Sequence, residues 1–150
     1  MRTEKPAQRA EIGDAQFGIP QGLAAEEQIV VAPDDCASRW GNTGSLVWST
    51  PAMLGYMEQA CVGALGSHLP PAYMTVGTAV TLRHLAPTPV GMRVIIRVEL
   101  REMVGRRLTF SFTAADGRET VGEGSHERVI VERARFEDKV RLKDAGGTRP

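Results

Sequence analysis

Thr50-Pro-Ala-Met-Leu-Gly-Tyr-Met-Glu-Gln-Ala-Cys-Val-Gly-Ala-Leu-Gly-Ser-His68 is the stretch whose reading decides the fold. A proline just inside a run that a hydroxyl residue opens is a helix-start signature, and Thr50 reads as the N-cap. The residues that follow are apolar nearly all the way round, the pattern of a buried helix. Glu58 is the only charged side chain in the run before His68. It shares a stripe with Cys61, Leu54 and Leu65, at offsets of three, four and seven. A carboxylate in such surroundings must be paired, hydrogen-bonded or protonated, which makes Glu58 a candidate acid or base. The plainer alternative is that Glu58 faces one wet side of the helix beside Gln59, and that Thr50 is a cap and nothing more.

The remainder of the chain reads as cover for this helix. Pro70-Pro71 stops it, and alternation then runs from Thr75 to Leu85, with Val76, Thr78, Val80, Leu82 and His84 on one face. Met92 to Val104 sets Val94, Ile96, Val98 and Leu100 against Arg93, Arg97, Glu99 and Arg101. Gly105-Arg106 turns the chain into Arg107 to Ala115, where Leu108, Phe110 and Phe112 share a face. Asp116-Gly117 is a two-residue hairpin signal leading to a last strand, Glu119 to Val131. Upstream, Gln28 to Val31 is a short strand ended by Pro33. Between Asp34 and Ser49 the chain is rich in small residues and reads as a lid or substrate-facing loop. Glu132 to Lys143 predicts a surface helix with Phe136 and Val140 inward and Glu137 paired with Arg141.

The expected class is therefore α+β. One long buried helix is wrapped by a curved antiparallel sheet of about five strands, the arrangement of a hotdog fold. Residues 1–26 are expected to form a flexible N-terminal arm, 27–143 the domain and 144–150 a disordered tail. An exposed sheet edge makes a homodimer the natural assembly.

Composition narrows the functional classes. Of the 150 residues, 42% are hydrophobic and 24% charged, and the formal net charge is zero, which argues against nucleic acid or an anionic membrane as the main partner. No apolar stretch is long enough to span a bilayer, and the polar first 27 residues show no secretory h-region. Cys36 and Cys61 make neither a disulfide framework nor a zinc motif, so a cytoplasmic, reduced chain is expected. His68, His84 and His126 show no metal-ligand spacing, and no metal is expected. Cys61 lacks a neighbouring positive group in sequence and reads as a small buried hydrophobe.

Several blocks, in order, resemble the hotdog-fold thioesterases of the fluoroacetyl-CoA thioesterase type. They are Thr50 with Met53-Leu-Gly-Tyr-Met-Glu-Gln-Ala-Cys61, Val76-Gly-Thr-Ala-Val-Thr-Leu-Arg-His84, Ala86-Pro-Thr-Pro89 with Gly91, Val104-Gly-Arg-Arg-Leu108, and Gly124-Ser-His-Glu-Arg128. The resemblance implies a catalytic group of Thr50, Glu58 and His84, with Gly77 and Arg128 in the substrate-binding neighbourhood. It also implies an acyl-CoA substrate of small or medium acyl size and no cofactor beyond the coenzyme A that the substrate carries. The specialised family member has phenylalanine in its lid, whereas Gly41-Asn-Thr-Gly-Ser45 has none, so strong selection for a fluorinated acyl group is not expected.

In this chemistry Glu58 acts as nucleophile or as the base that activates water. His84 donates to Glu58 or to the departing thiolate, and the helix N-terminus beside Thr50 offers N–H groups to the thioester oxygen. Arg128 contacts substrate or the phosphates of CoA. Two rivals stand beside this reading, a non-catalytic acyl-CoA or acyl-carrier binding protein and a hotdog hydratase or dehydratase.

Overall fold

The computed structural model describes residues 17–147. A five-stranded antiparallel sheet runs in the order β1-β3-β4-β5-β2, with β1 Ala24–Val30, β2 Tyr73–His84, β3 Arg93–Val104, β4 Arg107–Ala115 and β5 Thr120–Glu132. One helix, α1 (Thr50–Leu65), lies against β1, β2 and β3, and a second, α2 (Arg133–Gly146), follows β5. The α+β class and the five strands follow the alternation in the sequence. Val94, Ile96, Val98 and Leu100 of β3 and Leu108, Phe110 and Phe112 of β4 point into the core, each at most 2% exposed. Full burial of each such side chain is worth roughly 1.5–3 kcal/mol. The arginines of β3 remain outside, where Arg97 and Arg101 pair with Glu99 at 3.7 and 3.3 Å.

Several expectations are revised by tertiary packing. The arm expected over residues 1–26 is not one over 17–26, and residues 1–16 lie outside the described residues. Phe17 and Ile19 are buried, the Phe17 ring packs edge-on against Tyr73 at 5.1 Å, and β1 starts at Ala24 by pairing with Glu99. The strand extends upstream of Gln28 because β3 offers a free edge there, which an alternation count over so few residues does not register. At the other end α2 runs past Lys143 to Gly146, with residues 148–150 outside the described residues. Val140 is 48% exposed, and Arg141 pairs with Asp138 rather than with Glu137. The Asp116 loop has four residues, because Asp116 accepts hydrogen bonds from the Arg118 and Glu119 amides and β5 begins at Thr120.

The stretch between Asp34 and Ser49 is only partly open. Short 3-10 turns at Pro33–Asp35 and Ala37–Trp40, and bridges from Cys36 to Trp48 and Val47 to Pro89, pin it to the body. Its tip at residues 41–44 is exposed, as are Trp40 and Leu46 on either side of it. No helix among the described residues is long and apolar enough to cross a membrane.

The helix is not buried all round. Met53, Met57, Ala60, Cys61 and Leu65 face the sheet, whereas Gln59, Val62 and Gly63 are exposed and Glu58 sits at the margin. β2 is an edge of the sheet and faces solvent over much of its length.

Candidate active site

Ser49, not Thr50, caps α1. Ser49 has extended backbone and its Oγ accepts from the Ala52 amide at 3.2 Å, so Thr50 is the first helical residue. Two adjacent hydroxyl residues can both satisfy the start signature, and the direction of chain entry selects between them. The Thr50 hydroxyl is thereby released for another partner. It lies 2.8 Å from His84 Nδ1 at the end of β2.

The same capping spends the amides expected to serve a substrate oxygen. Pro51 has no N–H, Ala52 N bonds to Ser49 Oγ, and Met53 N bonds to the Ser49 carbonyl at 3.0 Å. Of the first four helical positions, only Thr50 is left to offer an amide to a substrate oxygen. Beside it a cavity of about 330 Å³ is lined by Thr50, His84, Trp48, Trp40 and Asn42. The Trp48 ring meets the His84 ring edge-on at 6.4 Å. Burial pushes the His84 pKa below its usual value, with a backbone contact to Ala86 opposing, so the imidazole is neutral at neutral pH. A neutral ring can accept a proton.

Glu58 belongs to a second cluster. Arg128 Nη1 donates to Glu58 Oε1 at 2.9 Å, with the arginine side chain 4% exposed and the glutamate 44%. The sealed carboxylate expected from an apolar helix is therefore half in solvent. It is Arg128 that is buried, and not offered to solvent phosphates. Two further donations hold it inside, from Nε to Thr75 Oγ1 at 2.8 Å and from Nη2 to the Thr75 carbonyl at 2.9 Å. Nη1 also lies 3.0 Å from His126 Nε2, while His126 Nδ1 lies 3.0 Å from the Ala79 carbonyl.

These two contacts settle the His126 tautomer. Only a protonated Nδ1 can donate to the carbonyl, which leaves Nε2 bare to accept from Arg128. Burial first, and the Arg128 charge with it, lower the His126 pKa, in keeping with a neutral ring. His126 thus orients Arg128, and Arg128 fixes Glu58.

Gly77 makes room for this cluster. A Cβ there would meet His126 Cε1 at 3.1 Å, Glu58 Oε1 at 3.2 Å and Arg128 Nη1 at 3.3 Å. The inward position of Gly77 corrects the expected facing of β2. A register shift between Gly77 and Ala79 inserts Thr78 as an extra residue. Thr75 and Gly77 consequently point toward the helix before the shift, and Leu82 and His84 after it.

Thr50 and Glu58 are eight residues apart on one helix, about 12 Å along its axis at ~1.5 Å per residue. His84 is joined to Thr50 and does not reach Glu58 of its own chain, against the expectation that it donates to that carboxylate. The histidine linked to Glu58 is His126, through Arg128. Its signal in the sequence was its spacing of two from Arg128, which places both on one strand face with Ile130. Thr75 carried no comparable signal, and Ser49 carried only the start signature that it shares with Thr50. Cys61, one turn from Glu58, is buried and its thiol is pushed up to about 12, chiefly by burial, so it is the packing residue expected. Among the described residues, no group of three or more His, Cys, Asp or Glu side chains is placed to hold a metal ion.

Known proteins share the family and the fold. The family model described as fluoroacetyl-CoA-specific thioesterase (FlK) matches residues 31–134. The fluoroacetyl-CoA thioesterase of Streptantibioticus cattleyicolor is 42% identical over 101 residues, 67% of this chain and 73% of that protein. A solved structure of fluoroacetyl-CoA thioesterase FlK superimposes with a TM-score of 0.78 at 34% identity, covering 84% of this chain and 98% of that one. A hot-dog-like protein from Thermanaerovibrio acidaminovorans gives a TM-score of 0.79 at 28% identity, over 91% of this chain and 98% of that one. The fold is the hotdog fold.

Proposed function

This chain belongs to the fluoroacetyl-CoA-specific thioesterase family, and from that membership we propose an acyl-CoA thioesterase that works as a cytoplasmic homodimer with Glu58, Thr50 and His84 at its centre. The observation that carries the reading is the Glu58–Arg128 contact of 2.9 Å, in which a buried guanidinium holds a carboxylate that solvent and substrate can still reach. Glu58 takes a proton from water as the water oxygen adds to the thioester carbonyl. The C–S bond then breaks, the acyl group leaves as a carboxylic acid, and the proton returns to the departing sulfur to give free coenzyme A. The Thr50 hydroxyl, oriented by neutral His84, donates to the carbonyl oxygen as charge develops on it. Arg128, Gly77 and His126 position the carboxylate. No metal and no cofactor enter beyond the coenzyme A of the substrate.

The dimer supplies what one chain cannot. The outer edge of β2 has no strand beside it among the described residues. Antiparallel pairing of two β2 edges about a two-fold axis near Ala79 and Val80 sets His84 opposite the partner subunit's Thr75. That residue binds the arginine that holds Glu58. Thr50 and His84 of one protomer thereby join the Glu58 cluster of the other.

Release of free thiol from a panel of acyl-CoAs tests the activity. The expected result is catalytic turnover that Glu58→Gln lowers about a hundredfold or more; binding without release, or hydration of an enoyl thioester instead, would overturn the reading.

A further inference from the structure

The face of α1 that carries Glu58 continues into an apolar groove of about 400 Å³. Val62, one helical turn beyond Glu58, lines it together with Leu65 and Leu69, and Met74 and Thr75 of β2 form the opposite wall. Val62 is 47% exposed, an apolar side chain left open where the helix could have carried a polar one. Thr75 belongs to both places. Its side chain lines the groove, and its hydroxyl accepts from the arginine that holds the Glu58 carboxylate. The groove therefore begins where the thioester carbonyl must sit and leads away along the helix.

We propose that this groove receives the acyl chain, and that the substrates are aliphatic acyl-CoAs of medium length rather than acetyl-CoA or fluoroacetyl-CoA. The proposal rests on Glu58 as the reacting centre. An acetyl group leaves the groove empty, whereas each methylene moved from water onto Val62, Leu65, Leu69 and Met74 is worth about a fourfold gain in kcat/KM. Among the described residues, the one cationic side chain lining the groove is Arg133, whose Nη1 lies 3.3 Å from Met74 Sδ. Gly66 also lines the groove, and a Cβ built there meets nothing within 4 Å, so a larger residue at this position enters open space.

The test compares kcat/KM for acetyl-, butyryl-, hexanoyl- and octanoyl-CoA, and for a hexanoyl chain ending in a carboxylate, in the full-length protein, Val62→Phe and Gly66→Leu. The protein itself is expected to gain about fourfold per methylene until the groove is full. Both variants fill the groove from exposed or open positions, and each should lower the octanoyl-to-acetyl ratio by tenfold or more. A flat chain-length profile, or loss of rate by the same factor at every length in both variants, would refute the assignment. A preference for the carboxylated chain over hexanoyl would refute it in favour of recognition by Arg133. Absence of thiol release at every length would bring down the thioesterase reading, and this proposal with it.

Discussion

Arg128 Nη1 and Glu58 Oε1 are 2.9 Å apart, yet the two side chains live in different media, the arginine 4% exposed and the glutamate 44%. The arginine is held on its other sides by Thr75 and His126, so the carboxylate is steered without being sealed. Glu58→Gln keeps an oxygen for Arg128 to bind and should retain the fold while lowering kcat about a hundredfold or more. Glu58→Leu leaves the buried guanidinium one acceptor short and should cost about 1–3 kcal/mol of stability as well. Parallel denaturant titrations and thiol-release assays separate the two effects. Near-parental turnover in the glutamine variant would remove Glu58 from the chemistry.

Neighbouring hydroxyls at the helix start divide two tasks. Ser49→Ala should lose about 1 kcal/mol of stability, the cost of a cap, with turnover largely kept. Thr50→Ala should do the reverse, since its hydroxyl meets His84 and not a helix amide. Thr50→Ser preserves that hydroxyl and should keep much of the rate. Equal stability losses in the two alanine variants would return the capping role to Thr50.

Complementation checks the proposed sharing of the site between protomers. Glu58→Gln and His84→Ala are each expected to be crippled alone. Mixed, unfolded and refolded together, they form heterodimers in which one of two sites holds both native residues. Random pairing makes half of the dimers mixed, so activity should recover to about a quarter of the parental value. If the mixture is no more active than its components, each site is built within one chain.

Acidity should act through buried imidazoles. His84 and His126 both have pKa values lowered by burial, so each binds fewer protons folded than unfolded near the ordinary histidine value of 6.5. Their contribution to stability is complete above pH 6.5 and is lost as pH falls through the lowered folded values. Activity that needs neutral His84 should follow the same limb. Urea midpoints and kcat/KM between pH 5 and 8 are expected to fall together on the acid side, and a plateau reaching down to pH 5 in both would contradict this.

Fluoroacetyl-CoA should not be strongly preferred over acetyl-CoA. Gly41 and Gly44 at the exposed loop tip hold φ of 106° and 81°, where a phenylalanine would be strained, so aromatic cover from these positions would need a different backbone. Small differences in acyl size and polarity are worth little to a simple pocket. The two kcat/KM values are expected to agree within about tenfold, and a ratio of several orders of magnitude would contradict the account of the loop.

Local pattern was enough for much of the architecture. The proline near the start of α1, its apolar run, the alternation of β3 and β4 and the turn at Gly105 all follow from interactions between residues near in sequence. The blocks around Glu58, His84 and Arg128 also made the family legible. Three features of the site were decided by residues distant in sequence. Pairing of β2 with β5 placed the extra residue at Thr78 and reversed the facing of everything before it. Chain entry along Trp48, itself bonded to Thr88, made Ser49 the cap and turned Thr50 toward His84. Packing of α1 on the sheet left Glu58 at the margin, with Arg128 buried beneath it. A side-chain period names a face; which way that face points, and which of two histidines lies behind it, is set only when strand register and helix position are fixed together.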